Sequence, residues 1–252
     1  MPITPSDDGP PVALITGAGS GIGRSTANLL AAKGWRLGLL GRTASKLEAT
    51  IEAFPAGHPE VLPLACDLED SDEVTRSVER LIEAFGRFDA AINIAGGTTQ
   101  VPIDALDAES IHSMLAQNLV GHMLIVSTAW PELVRNSGCV VNISSMASID
   151  PFMHFTAYAA SKAGLDSLTR SIMAEAGETG IRAFTLNPGV VETPLLRRLF
   201  DESVVGTEVT LAPEVIAEEI LACINGDRDH RVGDCVRVLL VSVAGLSNAA
   251  VQ

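Results

Sequence analysis

Two residues in the second half of the chain have the types and spacing needed for proton transfer. Tyr158 and Lys162 stand four residues apart in a helix-forming segment, so their side chains share one helix face, one turn apart. A tyrosine hydroxyl titrates at about pH 10, and a neighbouring ammonium group lowers that pKa by stabilising the phenolate. A Tyr-x-x-x-Lys pair is common and usually structural, so a catalytic interpretation depends on the residues around it.

Two further polar residues support a chemical role for this pair. Ser145 follows the predicted strand Cys139–Ile143, at the edge where open α/β sheets bind ligands, and its hydroxyl can hold a carbonyl oxygen. Ser144 is the neighbouring candidate, but adjacent strand residues point to opposite faces, so only one of the two is expected to serve. Asn118 lies inside a predicted helix, where asparagine is unfavourable, and indicates a local bend or a bound water.

A glycine-rich segment near the N-terminus is placed to bind a dinucleotide. A predicted strand leads directly into Thr16-Gly17-Ala18-Gly19-Ser20-Gly21-Ile22-Gly23, where a helical pattern begins. Glycines permit the tight turn and let backbone N–H groups approach a pyrophosphate at the helix N-terminus. A Walker A loop is excluded, because Ala18 and Arg24 stand where its first glycine and its lysine are required. Coenzyme contacts are expected from Gly17, Ser20, Gly21, Ile22 and Gly23.

The residues after the second and third predicted strands bear on the choice of coenzyme. The second strand ends in Gly41-Arg42, so the acidic residue that binds the 2′-hydroxyl of NAD is missing. Arg42 offers a planar cation for a 2′-phosphate, so NADP(H) is favoured over NAD(H), although an ordinary surface arginine fits the same sequence. Asp67, with Leu68 beside it, is placed to meet the adenine, or it caps a turn.

Short apolar segments alternate with longer amphipathic ones and form the framework for these residues. Seven strands are predicted, at Val12–Thr16, Arg36–Leu40, Val61–Cys66, Ala90–Ile94, Cys139–Ile143, Arg182–Leu186 and Val236–Val241. Helical patterns lie at Ile22–Lys33, Ala44–Phe54, Asp72–Phe85, Ala108–Trp130, Thr156–Gly177 and Pro213–Ile224. The alternation predicts an α/β fold, a doubly wound (Rossmann-like) parallel seven-stranded sheet with helices on both faces, followed by a tail of small residues.

Length and composition predict the domain organisation. The 252 residues, 47% of them hydrophobic, suffice for one core and contain no evident linker or repeat. We expect a flexible N-terminal tail over residues 1–11 and a single dinucleotide-binding domain over 12–252. Residues 193–212 interrupt the strand–helix alternation with an apolar cluster, which indicates a loop that caps the substrate or a short amphipathic surface helix.

Charge and hydropathy patterning argue against several classes of partner. Thirty-one acidic residues against 17 basic ones give a formal net charge of −14, and no basic segment could replace the counterions of a nucleic acid. No segment approaches the roughly 20 apolar residues of a membrane span, and no secretory signal is visible. The four cysteines form no Cys-x-x-Cys pair, so no metal site is expected. We expect a cytoplasmic protein without nucleic-acid or membrane partners.

Together these segments resemble the short-chain dehydrogenase/reductase family from about Val12 to Ala222. The glycine loop is similar to the family's coenzyme loop, and Asn93-Ile94-Ala95-Gly96 is similar to its Asn-Asn-Ala-Gly motif. Four residues match its catalytic tetrad, namely Asn118, Ser145, Tyr158 and Lys162, and the serine thirteen residues before the tyrosine favours Ser145 over Ser144. The segment Asn187–Thr193 resembles the family's Pro-Gly segment, which holds the nicotinamide carboxamide.

The resemblance implies a nicotinamide-dependent oxidoreductase acting between an alcohol and a carbonyl group. Tyr158 would be the general acid in reduction and the base in oxidation, while Lys162 would lower its pKa and bind the nicotinamide ribose. Ser145 would orient and polarise the carbonyl, and Asn118 would hold a water that links Lys162 to solvent. Further coenzyme contacts are implied for Asn93, Ala95, Gly96, Pro188, Gly189, Val191 and Thr193.

The chain departs from the family pattern at two places. Ile94 replaces the second asparagine of the Asn-Asn-Ala-Gly motif, which puts one hydrogen bond near the fourth strand in doubt while leaving an apolar residue that can pack. The C-terminal segment His230–Leu240 lacks the Asp-Gly-Gly that shapes subunit contacts in many members. We still expect a homodimer or homotetramer, although assembly through that end cannot simply be carried over.

The substrate is expected to be a small, apolar ketone or secondary alcohol. Apolar side chains stand at the positions that would line its pocket, namely Met146, Phe152, Met153, Phe155, Leu195, Leu199 and Phe200, although several of these can instead pack the loop. Two other functions remain open: a sensor or scaffold that binds NADP(H) without turnover, which the intact tetrad argues against, and an epimerase or dehydratase that uses transient hydride transfer.

Overall fold

The computed structural model describes residue 3, residues 9–243 and residues 246–251, with side chains described as far as residue 239. One sheet contains eight strands in the order β3-β2-β1-β4-β5-β6-β7-β8. The strands are β1 Val12–Thr16, β2 Arg36–Gly41, β3 Val61–Ala65, β4 Ala90–Asn93, β5 Cys139–Ile143, β6 Arg182–Pro188, β7 Cys235–Val243 and β8 Leu246–Val251. The helices are α1 Gly21–Ala32, α2 Ala44–Ile51, α3 Ser71–Phe85, α4 Ala108–Leu115, α5 Gly121–Arg135, α6 Thr156–Ala176, α7 Pro194–Leu199 and α8 Pro213–Ile224.

The predicted doubly wound sheet of seven parallel strands, β1 to β7, is confirmed. The strand order reverses between β1 and β4, which is the crevice where open α/β sheets bind ligands. An eighth strand, antiparallel β8, corrects the expectation of a simple tail. Its small and polar residues have low strand propensity, so pairing with the edge of β7, rather than local sequence, makes this segment a strand.

The alternation of side chains along the buried strands supplies a separate apolar layer to each face of the sheet. On one face, Ala13 and Ile15 of β1 pack with helices α1, α2 and α8. On the other, Val12 and Leu14 of the same strand pack with α3, α5 and α6. The two layers fix the carboxyl ends of β1, β2, β4, β5 and β6 relative to one another, and the candidate site lies at those ends.

One helical pattern, predicted to be continuous, is interrupted where asparagine indicated a bend. The predicted helix Ala108–Trp130 consists of α4, one π-helical turn over Ala116–Val120, and α5, which continues to Arg135. In that turn the Gly121 N–H donates to the carbonyl of Ala116, five residues earlier. Such single π turns inside α-helices occur frequently at functional sites, because they redirect one side chain without ending the helix.

The segment 193–212 contains a short helix, and its role as a loop that caps the substrate stays a prediction. It begins with the short helix α7, capped by the Thr193 hydroxyl, which accepts from the Leu196 N–H at 3.2 Å. A further short turn follows over Thr207–Val209, and a bridge between Val191 and Leu211 joins the two ends of the segment. The segment therefore leaves and rejoins the domain at one place beside the cleft, where the bridge connects its two ends.

Contacts to the domain are visible at the described residues of the predicted N-terminal tail. The Ile3 N–H donates to the Ile224 carbonyl at 3.5 Å, and the Pro10 carbonyl accepts from the Arg36 guanidinium at 3.0 Å. Residues 1, 2 and 4–8 lie outside the described part, so a flexible tail stays a prediction. Across the described residues, no helix is long and apolar enough to cross a lipid bilayer.

Candidate active site

A cleft of about 860 Å³ runs along the carboxyl ends of the central strands. The glycine loop after β1 forms one end, and α6 with the residues after β5 forms the other. The segment 193–212 contributes α7 to one wall. Most predicted site residues line this one cleft, namely Gly17, Ser20, Gly21, Ile22, Gly23, Arg42, Asp67, Leu68, Ala95, Gly96, Ser145, Tyr158, Lys162, Pro188, Gly189, Val191 and Thr193.

Close backbone contacts account for the glycines of the loop after β1. Gly17 adopts φ +70°, which disfavours any side chain, and a Cβ there would lie 3.0 Å from the Ala95 backbone. A Cβ on Gly23 would lie only 2.2 Å from the Gly17 carbonyl oxygen, so a side chain at this position would deform the loop. The N-terminus of α1 therefore lies directly against the loop and faces the cleft.

A hydroxyl at the end of β1 ties the glycine loop to the end of β4. The Thr16 Oγ1 accepts from the Ile94 N–H at 2.8 Å and from the Ala95 N–H at 2.9 Å. Ile94, which replaces the second asparagine of the family motif, packs against the apolar core, as expected for an apolar residue at this position. Thr16 was considered only as part of the glycine motif, and its position as the last residue of a buried strand was the available signal.

Two cations lie at the end of the cleft formed by β2 and α2. Arg42 directly follows β2, is exposed, and lines the cleft. Lys46, one helical turn further on in α2, is also exposed and lines the cleft. Sequence reasoning missed Lys46, although its four-residue spacing from Arg42 was a usable signal.

Asp67 caps a turn and also lines the cleft. Its carboxylate accepts from the Glu69 N–H at 3.1 Å, as a turn-capping residue does, and the half-buried side chain also lines the cleft. Leu68, which follows it, is buried and packs against Gly121 at the start of α5. The residues after β3 therefore form a polar and an apolar portion of the same wall.

Tyr158, Ser145 and Lys162 lie together at the opposite end of the cleft. The Ser145 hydroxyl lies near enough to the Tyr158 hydroxyl to lower its pKa. The Lys162 Nζ lies 5.8 Å from the centre of the Tyr158 ring, and it donates to the Ile143 carbonyl at 2.8 Å. A phenol and an alcohol thus face the cleft as a pair, with a buried ammonium behind the ring rather than at the phenol oxygen.

Burial dominates the pKa shifts of this group. Burial raises the pKa of Tyr158, and the nearby Ser145 hydroxyl lowers it by a smaller amount. Burial also lowers the pKa of Lys162 to about 8, against a smaller opposite effect from the Asp166 carboxylate. The Lys162 ammonium is directed at a backbone carbonyl, and the expectation that it lowers the Tyr158 pKa stays a prediction.

The two neighbouring serines after β5 have different surroundings. The Ser144 hydroxyl is buried and donates to the Lys162 carbonyl at 3.0 Å, so it anchors β5 to α6. The Ser145 hydroxyl accepts from the Ala147 N–H at 3.1 Å and reaches Tyr158. Both residues line the cleft, but the Ser144 hydroxyl is used by the α6 backbone, whereas the Ser145 hydroxyl is directed at Tyr158.

Asn118 lies one layer behind the cleft wall rather than in it. Its fully buried side-chain amide donates to the Gly97 carbonyl at 3.0 Å and accepts from the Gly97 N–H at 3.0 Å. A Cβ on Gly96 would lie 2.3 Å from the Asn118 Oδ1 and 3.5 Å from the Lys162 Nζ. Asn118 therefore holds the segment after β4 in place close to Lys162.

Two residues that were expected at the site lie outside the cleft lining. Asn93, expected to contact the coenzyme, is fully buried in β4 and donates to the Asn142 side chain of β5 at 2.8 Å. It lies outside the lining because strand alternation turns it into the interior, where it cross-links the two strands. Met146, expected in the substrate pocket, also lies outside the lining, in the short turn after Ser145.

The other apolar residues expected to form the pocket line the cleft beside Tyr158. Phe155 contacts Tyr158 edge-on, with 6.1 Å between ring centres, and Phe152 contacts Phe155 similarly at 6.3 Å. Four more lie along the same wall, namely Met153, Leu195, Leu199 and Phe200. His154 lies at the rim with φ +69° and is exposed, as expected for a rim residue.

The residues at the loop end of the cleft fit a dinucleotide. Ser20 precedes α1 without capping it through its side chain, and the first turn of α1 contains no acidic residue. Uncapped N–H groups and the helix dipole favour an anion such as a pyrophosphate at this position. The glycine contacts exclude side chains there, and the exposed Arg42 lies further along the same cleft.

Comparison with known proteins agrees with this geometry. The family model described as short chain dehydrogenase matches residues 11–203. Carbonyl reductase family member 4 of Danio rerio is 31% identical over 196 residues, which are 78% of this chain and 82% of the relative. A D-threitol dehydrogenase of Mycolicibacterium smegmatis is 30% identical over 230 residues, or 85% and 88% of the two chains.

A solved structure shares the whole architecture. The crystal structure of levodione reductase superposes with a TM-score of 0.83 and covers 91% of this chain and 96% of its own, at 29% identity. The similarity thus extends over most of both chains.

Proposed function

This chain belongs to the short-chain dehydrogenase family, and we propose that it transfers a hydride between NADP(H) and a small, apolar ketone or secondary alcohol. Family membership makes it an oxidoreductase acting on CH–OH or C=O groups with a nicotinamide coenzyme. The observation that carries the proposal is that Tyr158 and Ser145 lie together in the cleft that begins at the glycine loop.

Tyr158 is the general acid and base of the proposed reaction. In reduction its hydroxyl donates a proton to the carbonyl oxygen, and in oxidation the phenolate accepts the proton of the alcohol. Because burial raises the Tyr158 pKa, the side chain is protonated at neutral pH, which suits the acid role. The base role requires a phenolate, so this chain alone favours it only at higher pH.

Ser145 and Lys162 support that proton transfer from two sides. The Ser145 hydroxyl, which lies near the Tyr158 hydroxyl, orients the substrate oxygen toward the phenol. Lys162 supplies positive charge behind the Tyr158 ring below about pH 8, the range in which its ammonium keeps its proton. Its contact with the Ile143 carbonyl fixes that charge at the end of β5.

The chain's own residues would hold the coenzyme along the cleft. When bound, the coenzyme supplies the hydride for reduction or accepts it in oxidation. The glycine loop and the N-terminus of α1 would hold the pyrophosphate, and Asp67 with Leu68 would face the adenine. The nicotinamide end would lie among Ala95, Gly96, Tyr158, Lys162, Pro188, Gly189, Val191 and Thr193.

Replacement of Tyr158 tests the proposed chemistry. Tyr158→Phe removes the chain's one phenol, so we expect turnover to fall by about 10²–10⁴-fold while coenzyme affinity stays nearly unchanged. Activity is measured on a panel of ketones and alcohols by nicotinamide absorbance, and coenzyme affinity by fluorescence titration. Retained turnover in Tyr158→Phe would refute the mechanism. Turnover without net coenzyme consumption would indicate an epimerase or dehydratase instead.

The adjacent serines provide a matched control for that experiment. Ser145→Ala removes the hydroxyl that faces the cleft, whereas Ser144→Ala removes one that donates to the α6 backbone. We expect kcat to fall strongly in Ser145→Ala and to remain near the starting value in Ser144→Ala. Equal effects of the two changes would contradict the role assigned to Ser145.

Arg42 supports the preference for NADP(H). It is exposed, lines the cleft, and lies near Lys46, so two cations can approach a 2′-phosphate. Arg42→Ala should weaken NADPH binding by about tenfold, which is typical for loss of one charge-assisted contact, and leave NADH binding nearly unchanged. Isothermal titration with both coenzymes measures the change. Equal affinity of the unmodified protein for NADPH and NADH would refute the assignment.

A surface arginine elsewhere provides the control for net charge. Arg76 is exposed on α3, outside the cleft lining, and Arg76→Ala makes the same change in charge. We expect both coenzyme affinities to stay unchanged in this variant.

The apolar wall of Phe152, Phe155 and Leu199 supports a small, apolar substrate. A homodimer or homotetramer remains the expected assembly.

A further inference from the structure

A buried histidine connects two segments that flank the cleft. His122 lies in the first turn of α5 and is fully buried. Its Nε2 lies 3.3 Å from the Thr16 Oγ1 at the end of β1, and its Nδ1 lies 3.2 Å from the Asn118 carbonyl in the π-helical turn. The imidazole therefore spans the distance between the strand that leads into the glycine loop and the turn that carries Asn118.

The hydrogen bonds of the Thr16 hydroxyl determine the tautomer of this histidine. The Thr16 Oγ1 already accepts two backbone N–H groups, from Ile94 and Ala95, which occupy both of its lone pairs. Its own proton is left to donate, and His122 Nε2 is the further partner that the described residues place beside it. Nε2 is thus the acceptor, and Nδ1 holds the ring proton and donates to the Asn118 carbonyl.

The surroundings keep the ring neutral. Burial and the nearby positive charge of Lys162 lower the pKa of His122 to about 3, against a smaller opposite effect of the Asn118 carbonyl. A neutral ring has one donor and one acceptor, which the Asn118 carbonyl and the Thr16 hydroxyl use. The two contacts thus form a directed chain from the threonine hydroxyl, through the ring, to the carbonyl.

Each end of this chain holds part of the site. Thr16 fixes the backbone at Ile94 and Ala95, where β4 meets the cleft. Asn118 holds Gly97 through two side-chain hydrogen bonds and lies against Gly96. The positions of Gly96 and Gly97 therefore depend on the π-helical turn that carries Asn118. Ala95 and Gly96 line the cleft between these two anchors.

We propose that His122 is a positioning residue that couples the glycine loop to the Asn118 turn through its neutral, Nδ1-protonated ring. It contacts neither the cleft nor the reacting groups, and it acts through Thr16 on the coenzyme end and through Asn118 on the catalytic end. The proposal deepens the proposed function, because the expected effect of His122 on kcat rests on turnover by Tyr158. The expected effect of His122 on coenzyme affinity does not depend on any substrate.

Two substitutions separate the two contacts of the ring. In His122→Asn the side-chain amide can replace Nδ1 and donate to the Asn118 carbonyl, but it is too short to reach Thr16. In His122→Gln the longer side chain can accept from Thr16, but it has no donor in the Nδ1 position. We expect His122→Asn to weaken coenzyme binding by about three- to tenfold with kcat at saturation nearly unchanged.

The opposite pattern is expected for the longer side chain. His122→Gln should lower kcat by about three- to tenfold and leave coenzyme affinity within about twofold. Coenzyme affinity is measured by fluorescence titration with NADPH and NADH, and kcat by absorbance with a substrate of the unmodified enzyme. Thermal unfolding of each variant records stability separately. Loss of stability alone, with kcat and coenzyme affinity unchanged in both variants, would overturn the proposal.

Coupling to Thr16 is tested by a double-mutant cycle. Thr16→Val removes the hydroxyl, so adding His122→Asn should weaken coenzyme binding little further. Fully additive losses would overturn the coupling. Absence of turnover by the unmodified protein would refute the proposed function, while a change of coenzyme affinity in His122→Asn would still support the contact with Thr16.

The unmodified protein offers a direct test that needs no variant to fold. Nitrogen NMR of protein labelled in its five histidines reports the tautomer of each ring. His58 also directs its Nδ1 at a carbonyl, so the His122 ring is assigned by its through-space contact with Thr16. We expect the His122 ring to be neutral at pH 6 with its proton on Nδ1. Finding this ring protonated at pH 6, or with its proton on Nε2, would overturn the proposal.

Discussion

Tyr158 and Lys162 lie side by side in α6, and burial shifts their pKa values in opposite directions. The phenol becomes harder to ionise and the ammonium easier to deprotonate, because in each case burial disfavours the charged form. The sequence spacing therefore brings the two groups together, while burial gives the Tyr158 pKa its upward shift. The Lys162 Nζ is directed toward the Ile143 carbonyl.

The buried His122 makes a prediction about stability in acid. Its pKa is about 3 in the folded protein, whereas an unfolded histidine titrates at about 6.5. Between these values the unfolded chain binds one more proton, so the free energy of unfolding falls as the pH falls, by up to about 1.4 kcal/mol per pH unit. Above the unfolded pKa this contribution is fully present and does not change with pH.

Removal of the ring should flatten that dependence. In His122→Gln we expect a smaller decrease in the free energy of unfolding between about pH 6 and about pH 4 than in the unmodified protein, measured by urea titration. His112 is exposed on α4, and His112→Gln is the control that should retain the original slope. An unchanged slope in His122→Gln would contradict a neutral, buried ring.

At the scale of elements, the segment 193–212 is held by an ion pair at its base. The Arg197 guanidinium binds both oxygens of Glu192, with Nε–Oε1 at 2.7 Å, and a third N–H donates to the Val205 carbonyl at 2.6 Å. The Thr210 hydroxyl also donates to Glu192 at 3.3 Å. One guanidinium thus connects α7 to the returning part of the segment. The bidentate geometry gives this half-exposed pair more order than an isolated surface ion pair has.

Loss of that ion pair should affect the substrate more than the coenzyme. Arg197→Gln frees the segment that brings Leu195, Leu199 and Phe200 to the cleft, so we expect KM for the substrate to rise about threefold to tenfold. The coenzyme KM should change less. Steady-state kinetics with each reactant varied in turn measures both values.

A second ion pair outside the cleft provides the control. Arg231 and Asp234 form a surface pair at 3.0 Å before β7, and Arg231→Gln removes the same charge there. Both KM values should stay unchanged in this variant. A substrate KM that is unaffected in Arg197→Gln would show that the segment does not cap the substrate.

At the scale of the whole molecule, a buried ion pair connects the beginnings of β1 and β4. The Asp89 carboxylate binds the Arg87 guanidinium, with Nη2–Oδ1 at 2.6 Å, and accepts from the Val12 N–H at 2.8 Å. Both side chains are buried, and the adjacent strands β1 and β4 surround the switch point of the sheet. This pair therefore fixes the register of the two strands at the end opposite the cleft.

Breaking this pair should destabilise the molecule without changing its chemistry. Asp89→Ala removes the carboxylate from a buried guanidinium, which typically costs about 3–5 kcal/mol in the free energy of unfolding. Urea unfolding measures the loss, and kcat at a temperature well below the transition should remain near that of the unmodified protein. The double variant Arg87→Met, Asp89→Leu should recover much of the lost stability. A loss below about 1 kcal/mol in Asp89→Ala would contradict the role assigned to the pair.

Local sequence determined the sheet, the glycine loop and most of the cleft. Alternating apolar segments bury strands and helices in a parallel α/β fold wherever they occur, and the carboxyl ends of such strands meet at one edge. Residues that follow those strands, such as Gly17, Arg42 and Ser145, could therefore be assigned to the cleft from the amino-acid sequence alone. The strand β8 could not be predicted in this way, because its formation depends on pairing with β7.

Tertiary structure alone decided which side chains face the cleft and which charges they carry. Asn93 and Met146 carried motif or composition signals, yet strand alternation and a short turn put both outside the lining. His122 carried no signal, because its partners are four residues before it and 106 residues away in sequence. Burial gives the Tyr158 and Lys162 pKa shifts their directions, and burial is not encoded in a local spacing. The sequence thus determined the candidate reaction chemistry, and packing decided the protonation states and the residues that position it.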